Sequence, residues 1–246
     1  MKSVFKKANN AYRRIRNGCQ VILSPERFDI YSKELYGHHN LSYSQEGEDM
    51  ILSRLFCDRQ DGFYVDVGAH HPQRFSNTYY FYLKGWRGIN IDAMPGSMEL
   101  FRKIRPNDIN LELAISDTRQ ILKYHQFAEP AFNSFSEVIS RKRTSPLIAT
   151  KDVQTYILSE ILEQHLYPKQ EIDFLSVDVE GLDLAVLRSN NWQKYRPKFV
   201  LVEDLDKSPL DRMHESEIAI FLQSKNYELY AKTFLTLIFR DQQMEP

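Results

Sequence analysis

Cysteine is almost missing from this chain: Cys19 and Cys57 are the two in 246 residues. That excludes a disulfide framework and a four-cysteine zinc site, and it suits a reducing compartment. Long apolar runs are missing too, and nothing approaches the ~18–20 residues that a membrane span requires. The basic N-terminus is not followed by an apolar stretch and a small-residue cleavage site, so no secretory signal is expected. A net charge of only −1 gives no footing for a broad nucleic-acid surface. No G-x-G-x-x-G occurs, which weakens any reading as a nicotinamide-dependent dehydrogenase. Internal repeats and low-complexity segments are absent as well.

What is present suits a soluble globular protein, with 42% hydrophobic and 26% charged residues. The length is that of one domain, read as 41–246, preceded by a basic, irregular appendage at 1–40. Residues 1–20 hold Lys2, Lys6, Lys7, Arg13, Arg14 and Arg16 and no acid, so these six charges leave −7 on the rest of a −1 chain. Val4, Phe5, Ala8, Tyr12, Ile15 and Cys19 fall near helical spacing opposite those bases. Such a helix could lie on an anionic membrane surface, pack on a second subunit in a homodimer, or be a solvated end. The location expected is cytoplasmic, with the inner face of a membrane as an alternative.

The chain is organised around Gly62–Pro72, GFYVDVGAHHP. Phe63, Tyr64, Val65 and Val67 predict a short buried strand with Asp66 near its end. Gly68 supplies a sharp turn where backbone can approach a ligand, Ala69 is small, and Pro72 is suited to begin a helix. Strand, acid, glycine turn and helix start together open a nucleotide-binding βαβ unit. The next strand, Gly88–Asp92, ends in an acid 26 positions after Asp66, where a carboxylate would meet ribose hydroxyls. The competing reading is a strand whose polar residues cap a helix. His70 and His71 lie in the same turn and could touch cofactor or substrate.

Strands and helices alternate through the rest. Ser44–Phe56 predicts a helix capped by Ser44, Ser76–Lys84 and Pro95–Ile104 two crossover helices, and Ile109–Ile115 a third strand. From 117 to 150 the pattern loosens. Ile121–Phe127 reads as a strand, and 129–146 is a long insertion on the substrate side, with a basic run Arg141-Lys142-Arg143 that is either solvated surface or a phosphate contact. Thr150–Tyr156, Ile172–Val177 and Lys198–Val202 predict further strands, and Tyr227–Ala231 with Phe234–Arg240 a closing antiparallel pair. The fold class expected is therefore α/β: a Rossmann-like, mostly parallel sheet with an antiparallel last strand and helices on both faces.

Acids collect at the strand ends: Asp66, Asp92, Asp178 with Glu180, and Glu203 with Asp204. In open α/β sheets the ligand crevice lies beyond those ends. Asp178, Glu203 and Asp204 could hold a hard cation such as Mg²⁺ or Mn²⁺, which would lower the pKa of a substrate hydroxyl. Glu180, Asp178 or His71 could then take the proton. The alternative is that these acids cap the helices that follow.

Ser44–Asp49, Gly62–Pro72, Ser76-Asn77-Thr78, Gly85–Ile91, Arg105-Pro106, Asn110 with Ala114-Ile115-Ser116, and Asp173–Gly181 together resemble the FkbM family of S-adenosylmethionine-dependent methyltransferases. The resemblance runs over about residues 42–205. It implies a seven-stranded methyltransferase fold and transfer of a methyl group from S-adenosylmethionine to an oxygen, often on a sugar such as a nucleotide-linked sugar or a surface polysaccharide. It implies a cofactor site made of Gln45, Glu46, Asp66, Gly68, Ala69, His70, Asn77, Asp92, Ala93, Ala114, Ile115, Ser116 and Asp178. The D-x-E motif with a later acidic pair is also similar to metal-dependent sugar O-methyltransferases, in which the first acid and the pair hold Mg²⁺. His70-His71-Pro72 stand where many members have small or apolar residues. Two other classes stay open at this point: a nicotinamide-dependent oxidoreductase and a non-catalytic binding module on the same fold.

Overall fold

The computed structural model describes residues 40–205 and 209–244. The chain divides into two units, 1–41 and 42–246. The basic N-terminal helix expected over residues 1–20 lies outside the described residues.

Residues from 42 onward build a seven-stranded sheet in the order β3-β2-β1-β7-β8-β10-β9. Its strands are β1 (Phe63–Val67), β2 (Arg87–Asp92), β3 (Ile109–Glu112), β7 (Phe174–Val177), β8 (Phe199–Glu203), β9 (Tyr227–Lys232) and β10 (Thr236–Asp241). β1, β2, β3, β7 and β8 pair in parallel, while β10 runs antiparallel to both β8 and β9. The expected Rossmann-like α/β sheet with its antiparallel last strand is what the chain forms. The order reverses direction at the β1–β7 seam, and such a switch point opens a crevice beyond the strand ends.

Period-two alternation sorts each strand between two cores. Val65, Val67, Ile89, Ile91, Val200 and Val202 point to one face, where α5 (Leu158–His165), α6 (Asp183–Arg188) and α7 (Glu217–Ser224) cover them. Tyr64, Phe174, Phe199 and Leu201 point to the other, against α1 (Glu48–Leu55), α2 (Tyr79–Leu83) and Trp86. Asp66 shares the parity of Tyr64. α3 (Ser97–Ile104) adds Met98 and Phe101 beside Ala69.

Three local expectations are corrected. The first helix starts at Glu48 with Gly47 as its cap at φ 87°, and Ser44 Oγ instead accepts from the Gly47 and Asp49 amides. A left-handed residue is needed to bring the chain in, and serine favours it far less than glycine. Pro72 begins no helix: it lies in a turn, and α2 opens only at Tyr79. The strand expected over Ile109–Ile115 is two. After Glu112 the chain leaves the main sheet, and β4 (Ala114–Ile115) joins β6 (Leu147–Tyr156) and β5 (Ile121–Phe127) in a second sheet of order β4-β6-β5. A helical turn, α4 (Glu137–Ser140), lies within the insertion that follows β5.

Candidate active site

The cleft opens where the sheet order reverses. Its volume is about 680 Å³, and it is lined from the ends of β1, β2, β7 and β8, from β4, and from the insertion. Gly68 is its hinge. At φ 87° it follows β1, and a Cβ there would lie 1.7 Å from the Asp178 carbonyl oxygen. The glycine is therefore required by the end of β7 crossing over it. Asp178 N–H donates to the Val67 carbonyl at 2.9 Å and closes the seam.

Asp92 ends β2 on the cleft wall, almost fully buried. Its Oδ2 accepts from His70 N–H at 2.8 Å and its Oδ1 from Met94 N–H at 2.7 Å. Burial raises its pKa from the ordinary value, and those two amides pull it back. Each oxygen keeps a lone pair for a further donor. His70 reaches the cleft in the left-handed region at φ 53°. Burial first, then Arg74, depresses its pKa to about 4, so the ring is neutral at pH 7. Its Nε2 is buried without a partner.

On the opposite wall β7 stops at Val177, so the strand geometry that would aim Asp178 and Glu180 alike does not persist. Glu180 instead takes φ 53°, followed by Gly181 at φ 106°. Asp178, Asp183 and Glu203 present carboxyl oxygens within 4.8 Å of one another. Asp183 Oδ1 and Oδ2 accept from Val179 and Gly181 N–H, both at 3.0 Å, and tie the turn to the start of α6. Asp178 is open to cleft solvent yet encased on its other sides. That enclosure, then Asp183 and Glu180, raises its pKa well above the carboxylate range. Burial and then Asp178 push Glu203 up to about 11. Glu203 hydrogen bonds Asp178, and a bond between two carboxyls needs a proton on one of them. Glu180 is raised by burial and lowered by Arg143, whose guanidinium pairs with it.

Gln45, Gly68, His70, Asp92, Ala93, Ala114, Ile115, Asp178, Glu180 and Glu203 thus meet at one cleft. Others are placed elsewhere. Asp66 faces the far side of β1 and accepts from Thr78 Oγ1 at 2.9 Å. Glu46 Oε2 accepts from Leu235 N–H, which ties its loop to the entry of β10. Asn77 donates to Ser176 Oγ at 3.1 Å and lines a small adjoining hollow. Ala69 packs on Met98 and Phe101 beneath the turn, and Ser116 is buried behind β4. His71 Nδ1 accepts from the Gln73 and Arg74 amides, so that nitrogen is spent on the turn. Asp204 lies 3.5 Å from Lys232, and the acidic group contains Asp183 in its place.

Sequence reasoning missed Asp183, Tyr124 and Asn133. Asp183 was legible only as an acid in a helical first turn. Tyr124 and Asn133 bond one another from the second sheet and line the cleft, and nothing in their spacing marks them. Of the basic run, Arg143 alone reaches the cleft, while Arg141 pairs with Glu137 at the exposed surface.

The family model described as the methyltransferase FkbM domain matches residues 66–229, from β1 to β9. The chain belongs to the FkbM methyltransferase family. No curated protein matches it. In FkbM terms, the matched region begins at Asp66 and takes in Asp92, the Asp178–Gly181 turn, the whole insertion and Glu203. The described helices of this FkbM protein include none long and apolar enough to cross a membrane.

Proposed function

We propose that the protein is an S-adenosylmethionine-dependent O-methyltransferase whose acceptor is a sugar hydroxyl, nucleotide-linked or within a bacterial surface polysaccharide. The observation that carries this is Asp92: a buried carboxylate at the end of β2, fixed by two amides and facing a cleft with the Asp178–Glu203 acids on its opposite wall. Ribose hydroxyls would donate to its remaining lone pairs, in the place that ribose-binding acids take in such folds. His70 Nε2, buried and unpartnered, fits a polar ligand atom at the same wall. When bound, the cofactor supplies an electrophilic methyl group on a sulfonium.

The chain's own task is to align the acceptor, exclude water and take a proton. Leu205, Leu235, Phe132 and Phe135 give the cleft an apolar lining that suits exclusion of water. Glu180 is the base of choice. Asp178 and Glu203 share a proton and hold it tightly, whereas Arg143 favours the ionised form of Glu180. Asp178 is assigned to orient the hydroxyl beside it. Mg²⁺ or Mn²⁺ is an optional part of this reading: Asp178, Glu203 and Asp183 would hold it, and it would lower the pKa of the hydroxyl.

The test is calorimetric binding of S-adenosylhomocysteine and of NAD, followed by release of S-adenosylhomocysteine with a panel of free and nucleotide-linked hexoses. Binding of the first and not the second is expected. Stabilisation by NAD alone would overturn the reading. If EDTA leaves turnover intact, the metal falls and methyl transfer stands.

A further inference from the structure

The methyl-transfer reading uses the insertion 129–146 only as a cleft wall, yet its contacts with the Glu180 turn are those of a clamp. Ser134 Oγ donates to the Glu180 carbonyl at 2.6 Å. Ser134 is itself fully buried and exchanges two backbone bonds with His125 of β5, at 2.9 and 3.1 Å. Arg143 pairs with the Glu180 carboxylate, and its guanidinium lies over the Phe132 ring at 4.7 Å. At Gly181 a Cβ would come within 2.7 Å of Ile139 Cδ1 and 3.0 Å of Ser136 Cβ, so the insertion is pressed against the turn. Two consecutive left-handed residues, one of them a glutamate, persist only where their surroundings over-determine them. The charged groups that bear on this carboxylate include Asp178 from its own turn, Asp183 from α6 and Glu203 from β8, with Arg143 the cation set against them.

We propose that Arg143 and Ser134 are positioning residues for Glu180: the insertion fixes the turn through Ser134 and aims the carboxylate through Arg143. The chain thereby builds its base from two segments separated by 37 residues between Arg143 and Glu180. This rests on the reading of Glu180 as the base.

The decisive measurement is amide hydrogen exchange on the full-length protein saturated with S-adenosylhomocysteine. In Arg143→Gln and in Ser134→Ala, exchange at Val179 and Gly181 should quicken tenfold or more, with β1 protection unchanged. Arg143→Lys should recover at least half of the lost protection, because it restores the cation but not the stacked fork. With UDP-glucose as probe acceptor, Arg143→Gln should lower kcat tenfold or more and move KM less than twofold. In a Glu180→Gln background the same change should add no further loss. Unchanged exchange in both the Gln and Ala variants overturns the proposal, whatever the acceptor. A global loss of protection in Arg143→Gln passes the decision to Ser134→Ala and Arg143→Lys, read in the same way. Wild-type turnover in Glu180→Gln together with quickened exchange in Arg143→Gln would remove Glu180 as base and leave the clamp standing.

Discussion

At the scale of single residues, Asp92 and Gly68 carry the cleft in different ways. Asp92 receives two amides and has lone pairs left over, so its removal should act on ligand affinity more than on the fold. Asp92→Ala is expected to weaken S-adenosylhomocysteine binding by about 1.5–3 kcal/mol, the worth of hydrogen bonds to a charged group. Calorimetry reads this directly, and unchanged affinity would place the ribose elsewhere. Gly68 carries structure. Its φ of 87° and the 1.7 Å approach of the Asp178 carbonyl leave no room for a methyl group. Gly68→Ala should cost about 3 kcal/mol in urea unfolding, from strain and overpacking together. The glycine was legible in the sequence as a turn where backbone approaches something. That the something is the chain's own β7 end was not, because 110 residues separate the two segments and only the sheet order makes them neighbours.

At the scale of elements, the ends of β7 and β8 deliver more carboxyls to one place than can ionise together. Asp178, Asp183 and Glu203 all have pKa values raised by burial. Their folded state binds protons that the unfolded chain has already released above the ordinary carboxylate range. Stability from these groups is therefore present at low pH and is lost as pH rises toward Glu203's value of about 11. His70 and His71, held below their usual value, act in the opposite direction, but only up to about pH 6.5, where unfolded histidine titrates. Above pH 7 the carboxyl cluster remains. Glu203→Gln should raise the Tm, and by more at pH 9 than at pH 7; parallel melting curves for the two proteins across that range would refute the shared proton. Alternation of hydrophobic residues placed these strands correctly from the sequence. It could not say that Asp183 rather than Asp204 joins the group, since that depends on which way the chain turns after β7 and β8.

At the scale of the whole molecule, a buried polar spine behind the cleft holds one side of the sheet. Arg105 is fully buried. It pairs with Asp108 at 2.8 Å, donates to Tyr64 Oη at 2.8 Å and reaches Thr78 Oγ1 at 2.9 Å. Thr78 in turn donates to Asp66, and Asp108 accepts from Gly88 N–H and Asn90 Nδ2. β1, β2, the approach to α2 and the exit of α3 are thereby joined by one guanidinium. Arg105→Met keeps much of the volume but leaves Asp108 and Asp66 without their cation. The expected loss is about 3–5 kcal/mol in denaturant unfolding, with α2 and β1 losing amide protection first. A loss below about 1 kcal/mol would show that the spine is not a buried charge network in solution. The spine also explains why Ser76-Asn77-Thr78 and Arg105-Pro106 recur with the cofactor motifs: Thr78 and Arg105 brace the back of the strand whose front end is the cleft.

The amino-acid sequence by itself determined the α/β sheet, the turn at Gly68, the acid at the end of β2 and the family resemblance. All of these are written in local patterns: alternation with period two, a glycine after a strand, an acid closing an apolar run. What only the tertiary structure decided is which polar residues face the cleft. Asp66 and Asp92 are both strand acids, yet alternation turns one to the Arg105 spine while the strand end leaves the other at the cleft. His70 and His71 are neighbours, yet one reaches the cleft and the other spends its Nδ1 on its own turn. Arg143 stands in a run of three bases, and only the fold of the insertion sets it against Glu180. Orientation across long sequence separations is settled by packing and by the hydrogen bonds it permits, and a one-dimensional pattern carries no record of it.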